Sequence, residues 1–195
     1  MNISFVLPGM PVIDSAGVRG LHGHIHGRAQ EVASRKYQVN LREGTLEGTL
    51  SSLVSNEVVG FFDPRINSGN FPYPYQKEEE EVTLGFSIRP AYKELKRTED
   101  LAAWTLKKTG ARRLAWPFEV ACWALQYPTK FNGVDIWCLD PPRLLEKDGY
   151  VFWYVVRFDS CYSNKPGVCL WSFARAFEEP IKRDSSAHDM IPVVF

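Results

Sequence analysis

Neither sign of charge is in excess: Lys and Arg number 23, and so do Asp and Glu. The balance also holds locally, with 11 of each sign through residue 97 and 12 of each beyond it. No global field therefore draws in nucleic acid or an anionic membrane. Cysteine is scarce, and Cys122, Cys138, Cys161 and Cys169 form no CxxC pair, which argues against a zinc ribbon or a thioredoxin-like site. Long apolar runs are absent too; none reaches the roughly 18 residues of a spanning helix. Met1–Pro8 lacks the basic and apolar regions of a secretory leader. Neither a G-x-S-x-G elbow nor a G-x-x-x-x-G-K-[ST] phosphate loop occurs. These absences lead to the expectation of a soluble, cytoplasmic, thiol-reduced protein without membrane attachment. Cys161–Cys169, flanking a turn, is the one disulfide candidate.

Aromatic residues are plentiful, with 12 Phe, 8 Tyr and 6 Trp in 195 residues, so a core or an interface is rich in rings. This length suits one globular domain over residues 1–195. The pattern predicts an α+β fold, a mixed or antiparallel sheet packed against two or three helices. Thr98–Gly110 reads as a helix with acidic residues at its amino end and Lys107 and Lys108 at its carboxyl end. Pro117 opens a second helix to about Gln126, with Phe118, Ala121, Cys122 and Leu125 as its buried stripe. Leu46, Leu50, Leu53 and Val54 have helical spacing weakened by Gly48. A further helix is predicted around Pro90–Leu95. Strands are predicted at Ile3–Leu7, Leu21–His26, Tyr37–Leu41, Val58–Phe62, Val134–Leu139, Tyr150–Phe158 and Val168–Phe177. Tyr150–Phe158, apolar on both faces, is the expected central strand, and Ile191–Phe195 reads as a tail that docks or adds an edge strand.

His22, His24 and His26 place three of the four histidines within five residues. In an extended segment all three imidazoles share one face. Three readings stay open: a polar strand face, a proton-transfer or pH-dependent patch, and a transition-metal site. Imidazole suits Zn, Fe, Ni or Cu, and Glu31 is the nearest acidic residue that could complete the set. His24-Ile-His26 followed by Glu31 is similar to the middle of the first cupin motif, a resemblance covering eight residues. It implies a catalytic metal held by those three side chains. The sequence departs from that motif at Gln38, where a closing glycine is expected, and in its upstream glycine.

Two other groups stand out. Lys107, Lys108, Arg112 and Arg113 are interleaved with Trp104 and Trp116, a pattern that can contact phosphate and stack on bases; overall neutrality disfavours nucleic acid as the partner. Phe71-Pro-Tyr73-Pro-Tyr75 sets rings between prolines, which lowers the entropy cost of presenting them. The leading expectation is therefore a protein-interaction or assembly module, with a protein partner or a homo-oligomer and a contact surface of Phe71, Tyr73 and Tyr75. The alternative is a small metal-dependent enzyme built on His22, His24 and His26.

Overall fold

A computed structural model describes residues 27–41, 44–74, 81–89, 98–147, 150–160, 166–172 and 189–195. Within them, residues 98–100, 140–142, 146–147, 150–153 and 172 are described by backbone alone. The expectations for Ile3–Leu7, Leu21–His26, Pro90–Leu95 and Phe173–Phe177 fall outside these residues.

The α+β class is as expected. Residues 27–33 are helical (α1). They are followed by β1 (Lys36–Asn40), α2 (Leu46–Ser55), β2 (Phe61–Phe62), β3 (Glu81–Ile88), α3 (Thr98–Thr109) and β4 (Arg113–Leu114). Then come α4 (Pro117–Gln126), α5 (Pro128–Phe131), β5 (Asp135–Lys147), β6 (Tyr150–Asp159), β7 (Gly167–Ser172) and β8 (Asp189–Val194). Among the described residues eight strands form one mixed sheet in the order β1-β3-β8-β5-β6-β7-β2, with β4 also pairing β8.

Local chemistry accounts for the helices. Thr45 caps α2 by accepting the Gly48 N–H at 3.2 Å, which satisfies one amide left open at a helix start. Leu46, Leu50 and Leu53 then bury one stripe. Gly110 ends α3 with a φ of +68°, the left-handed conformation that glycine adopts without a Cβ clash. Pro117 stands first in α4, and Glu119 reaches back to accept the Trp116 N–H at 2.8 Å.

Register assigns the faces of the sheet. On one, Val82, Leu84, Phe86, Ile136, Cys138, Val156, Phe158, Met190 and Val194 join α2 and α4 in the larger core. Rings run through it edge to face: Tyr37 on Trp123 at 5.6 Å, Trp123 on Phe131 at 6.4 Å, and Phe131 on Phe158 at 6.4 Å. On the other face, α3 supplies Leu101 to a smaller core with Trp137, Leu139, Val155, Ile191 and Val193.

Four expectations change. Val58–Phe62 yields only a two-residue strand, because Val58 and Val59 both donate to the Leu53 carbonyl and close α2. The resulting β2 lies at the sheet edge, parallel to β7, and Phe61 is 46% exposed. Val134–Leu139 does not stop at Asp140-Pro-Pro; the strand continues to Lys147 through a register shift between Cys138 and Arg143. The carboxyl-terminal segment is no edge strand: β8 lies between β3 and β5, and all six of its residues are buried. Cys169 is a free thiol, so the Cys161–Cys169 disulfide is not formed.

Candidate functional site

The most concentrated polar chemistry among the described residues lies on the α3 side, where β3, β8, β5 and β6 meet. Asp135 is the register partner of Asp189 on one side and of Asp159 on the other. The Arg89 N–H bonds the Asp189 carbonyl at 2.8 Å, which extends the row to four residues. Its side chain reaches the Asp189 carboxylate at 3.3 Å, both groups being buried.

Arg157 holds the centre. Its Nε and Nη2 contact Asp135 at 3.0 and 2.5 Å, and Nη2 lies 3.4 Å from Asp159. The guanidinium is stacked on Trp137 and Trp171, 4.9 and 4.8 Å from the ring centres. Those two rings meet edge to face at 5.9 Å. Such stacking suits a delocalised, weakly hydrated cation. Two arginines thus face three aspartates in a row where like charges stand side by side. Burial pushes the Asp135 carboxyl up to about 8 against the pull of Arg157. The Asp189 carboxyl is likewise raised, by burial against Arg89 and Arg157.

Around this row, the smaller core ends in half-buried rings. Trp104, Trp171 and Phe195 pack on it without being covered. Lys108 Nζ lies 4.5 Å from the Trp104 ring centre, and Lys36 Nζ lies 3.3 Å from that of Phe195. The Phe195 ring rests on Gly85, where an added Cβ would fall 2.5 Å from Cε2.

The residues singled out from the sequence are distributed differently. His22, His24, His26, His188 and Tyr75 lie outside the described residues. Glu31 is engaged through both oxygens, with Arg28 at 2.6 Å and Lys130 at 2.5 Å. Its hydrogen bonds to Lys130 and Arg28 hold the carboxyl below the usual range. Among the described residues no group of three or more His, Cys, Asp or Glu could hold a metal ion. The expected Zn, Fe, Ni or Cu centre using Glu31 is corrected accordingly: that carboxylate joins α1 to α5 as an ion-pair partner.

Phe71 and Tyr73 are core residues, 1% and 9% exposed, rather than a presented surface. The prolines steer Tyr73 inward, where its hydroxyl donates to Glu119 at 2.8 Å and its ring tilts against Phe118 at 5.1 Å. The basic group is divided as well. Arg113 turns inward onto Glu119 at 2.6 and 3.0 Å, Lys108 stacks on Trp104, and Lys107 and Arg112 are exposed.

Glu119, fully buried between Arg113, Tyr73 and the Trp116 amide, was not visible as a site residue. Its signal was the glutamate two residues after the helix-opening proline. Asp135 and Asp159 stand near predicted strand ends, where carboxylates serve as caps, turn residues or catalytic groups. The pairing with Arg157 left no local signal, because Asp135 and Arg157 are 22 residues apart and meet only through strand register.

No family model, no curated protein and no solved structure matches the chain. The class defined by fold and site is thus structural: an α+β protein with an arginine–aspartate row under an aromatic rim. No helix of the described residues is long and apolar enough to cross a membrane.

Proposed function

We propose that the chain is a protein-interaction or assembly module whose contact surface is the aromatic rim around α3. The observation that carries this reading is the set of half-buried rings, Trp104, Trp171 and Phe195, each with a cation on one face. Trp and Arg dominate energetic hot spots: Trp buries much area with only two side-chain torsions, and Arg adds a planar, polar anchor. The ion-paired row beneath fixes Arg157, and through it Trp171, before any partner arrives, which lowers the entropy cost of docking.

Two observations favour side-chain contact over strand addition. Gln126 covers the open edge of β1, accepting the Asn40 N–H at 3.1 Å and donating to its carbonyl at 2.7 Å. The Tyr127 hydroxyl donates to the Gln38 carbonyl at 2.8 Å. At the opposite edge, β2 is only two residues long. Both edges are thus poor templates for another strand.

The test is a light-scattering concentration series with lysine cross-linking, on the native chain and on Trp104→Ala. A mass that rises with concentration in the native chain but not in Trp104→Ala supports the reading. A native chain that stays monomeric and yields no Lys108 cross-links at any concentration sinks the assembly role of this face.

A further inference from the structure

We propose that Arg143, together with Arg65 and Tyr154, forms a binding site for an organic monocarboxylate on the larger-core side of the sheet, away from the α3 rim. The site begins with the irregularity in β5. Cys138 faces Val156, and the next paired position is Arg143 facing Tyr154, so Leu139–Pro142 stand opposite Val155 alone. In an unbroken ladder Asp140 would face Tyr154. The shift replaces a carboxylate there with a guanidinium, and re-aiming a side chain is a recurrent use of such bulges.

Arg143 shares its face with Leu145, two residues on, which packs against the larger core. Its Nε is fully buried and has no hydrogen-bond partner. The guanidinium has no carboxylate within ion-pair distance among the described residues. Arg28, Arg65, Arg89, Arg113 and Arg157 all have one. A buried N–H without an acceptor is uncommon, and an anion held by this half-buried guanidinium would supply what Nε lacks.

Arg65 approaches Tyr154, the register partner of Arg143, from the loop after β2, its guanidinium 5.8 Å from the ring centre. Asp63 takes up Arg65 through two contacts, at 2.6 and 3.0 Å. Asp63 already engages Arg65, so the guanidinium of Arg143 offers the one positive charge that a monocarboxylate balances and a phosphate dianion overshoots. A guanidinium fork matches the two oxygens of a carboxylate. The Tyr154 ring, 4% exposed, and the Leu145 side chain provide an apolar wall that suits an organic substituent on that carboxylate.

The experiment titrates the full chain with benzoate and, separately, with inorganic phosphate. Binding is read by saturation transfer to the ligand and by the thermal midpoint. Benzoate should bind in the millimolar range or tighter and raise the midpoint, and phosphate should bind more weakly. Affinity for benzoate should fall about tenfold or more in Arg143→Gln, and by less in Arg65→Gln, whose guanidinium Asp63 already neutralises. Arg143→Lys, which keeps the charge without the fork, should fall between native and Arg143→Gln. Absence of benzoate binding to the native chain overturns the proposal, whatever the variants do. Equal affinity in native chain and Arg143→Gln overturns it as well, and tighter binding of phosphate than of benzoate overturns the ligand class.

Discussion

Glu119 shows how one buried charge organises its surroundings. It accepts from Arg113, Tyr73 and the Trp116 amide, so three separate segments meet on one carboxylate. Removing one partner of a buried pair strands the other, at a cost of about 3–5 kcal/mol. Glu119→Ala should lose that much in urea denaturation, whereas Tyr73→Phe should lose only about 1 kcal/mol. A double variant less destabilised than the sum would show that the hydroxyl acts through the carboxylate. The aspartate row makes a different demand. Asp135 holds its proton up to about 8 in the folded chain, whereas an unfolded aspartate releases it near pH 4, a value of about 3.9. Across that window the folded state binds the extra proton, so stability falls as pH rises. Asp135→Asn should flatten this slope even if its absolute stability is lower. An unchanged slope would remove Asp135 from the account.

At the scale of elements, legibility followed the range of the interactions. The bounds of α4 were readable, because its start is set by Pro117 and its stop by Pro128, both local. Its burial was not: residues 117–124 are all buried, and Leu125, placed on the predicted stripe, is half-buried. The α2 helix formed despite Gly48 because the Thr45 cap and the buried leucines outweigh the glycine's cost of about 1 kcal/mol. Thr45→Ala should cost about 1 kcal/mol and lower the far-UV helical signal. The fate of Val58 and Val59 was not readable, since β-branched residues suit a strand equally well until the Leu53 carbonyl claims their amides. The same holds for the continuation of β5 past Pro141 and Pro142, which depends on β6 resuming its ladder at Tyr154. Edge protection was equally hidden: Gln126 and Asn40 lie 86 residues apart. Gln126→Ala should speed hydrogen exchange at the Asn40 amide by uncovering it, while exchange at Leu84, fully buried inside the sheet, stays unchanged.

For the whole molecule, β8 decides how the parts cohere. A short apolar tail such as Ile191–Phe195 reads locally as an edge, yet its neighbours come from three distant places. It pairs with β3 along Met190–Val194, with β4 at Val193 and Val194, and with β5 at Asp189 and Met190. Its side chains also alternate between the two cores, Met190 and Val194 to the larger one, Ile191 and Val193 to the smaller. Removing it would open the sheet between β3 and β5, unpair Arg89 from Asp189 and bare both apolar layers at once. We therefore propose that residues 1–195 unfold as one cooperative domain, with β8 as the shared element. In urea, tryptophan fluorescence and far-UV circular dichroism should report coincident transitions. A chain lacking residues 189–195 should lose the cooperative transition rather than unfold at a lower midpoint, because neither core retains a closed wall. Two separated transitions in the native chain, or a cooperative transition surviving the deletion, would show that the larger core stands without β8 and that the α3 layer is an addition to it.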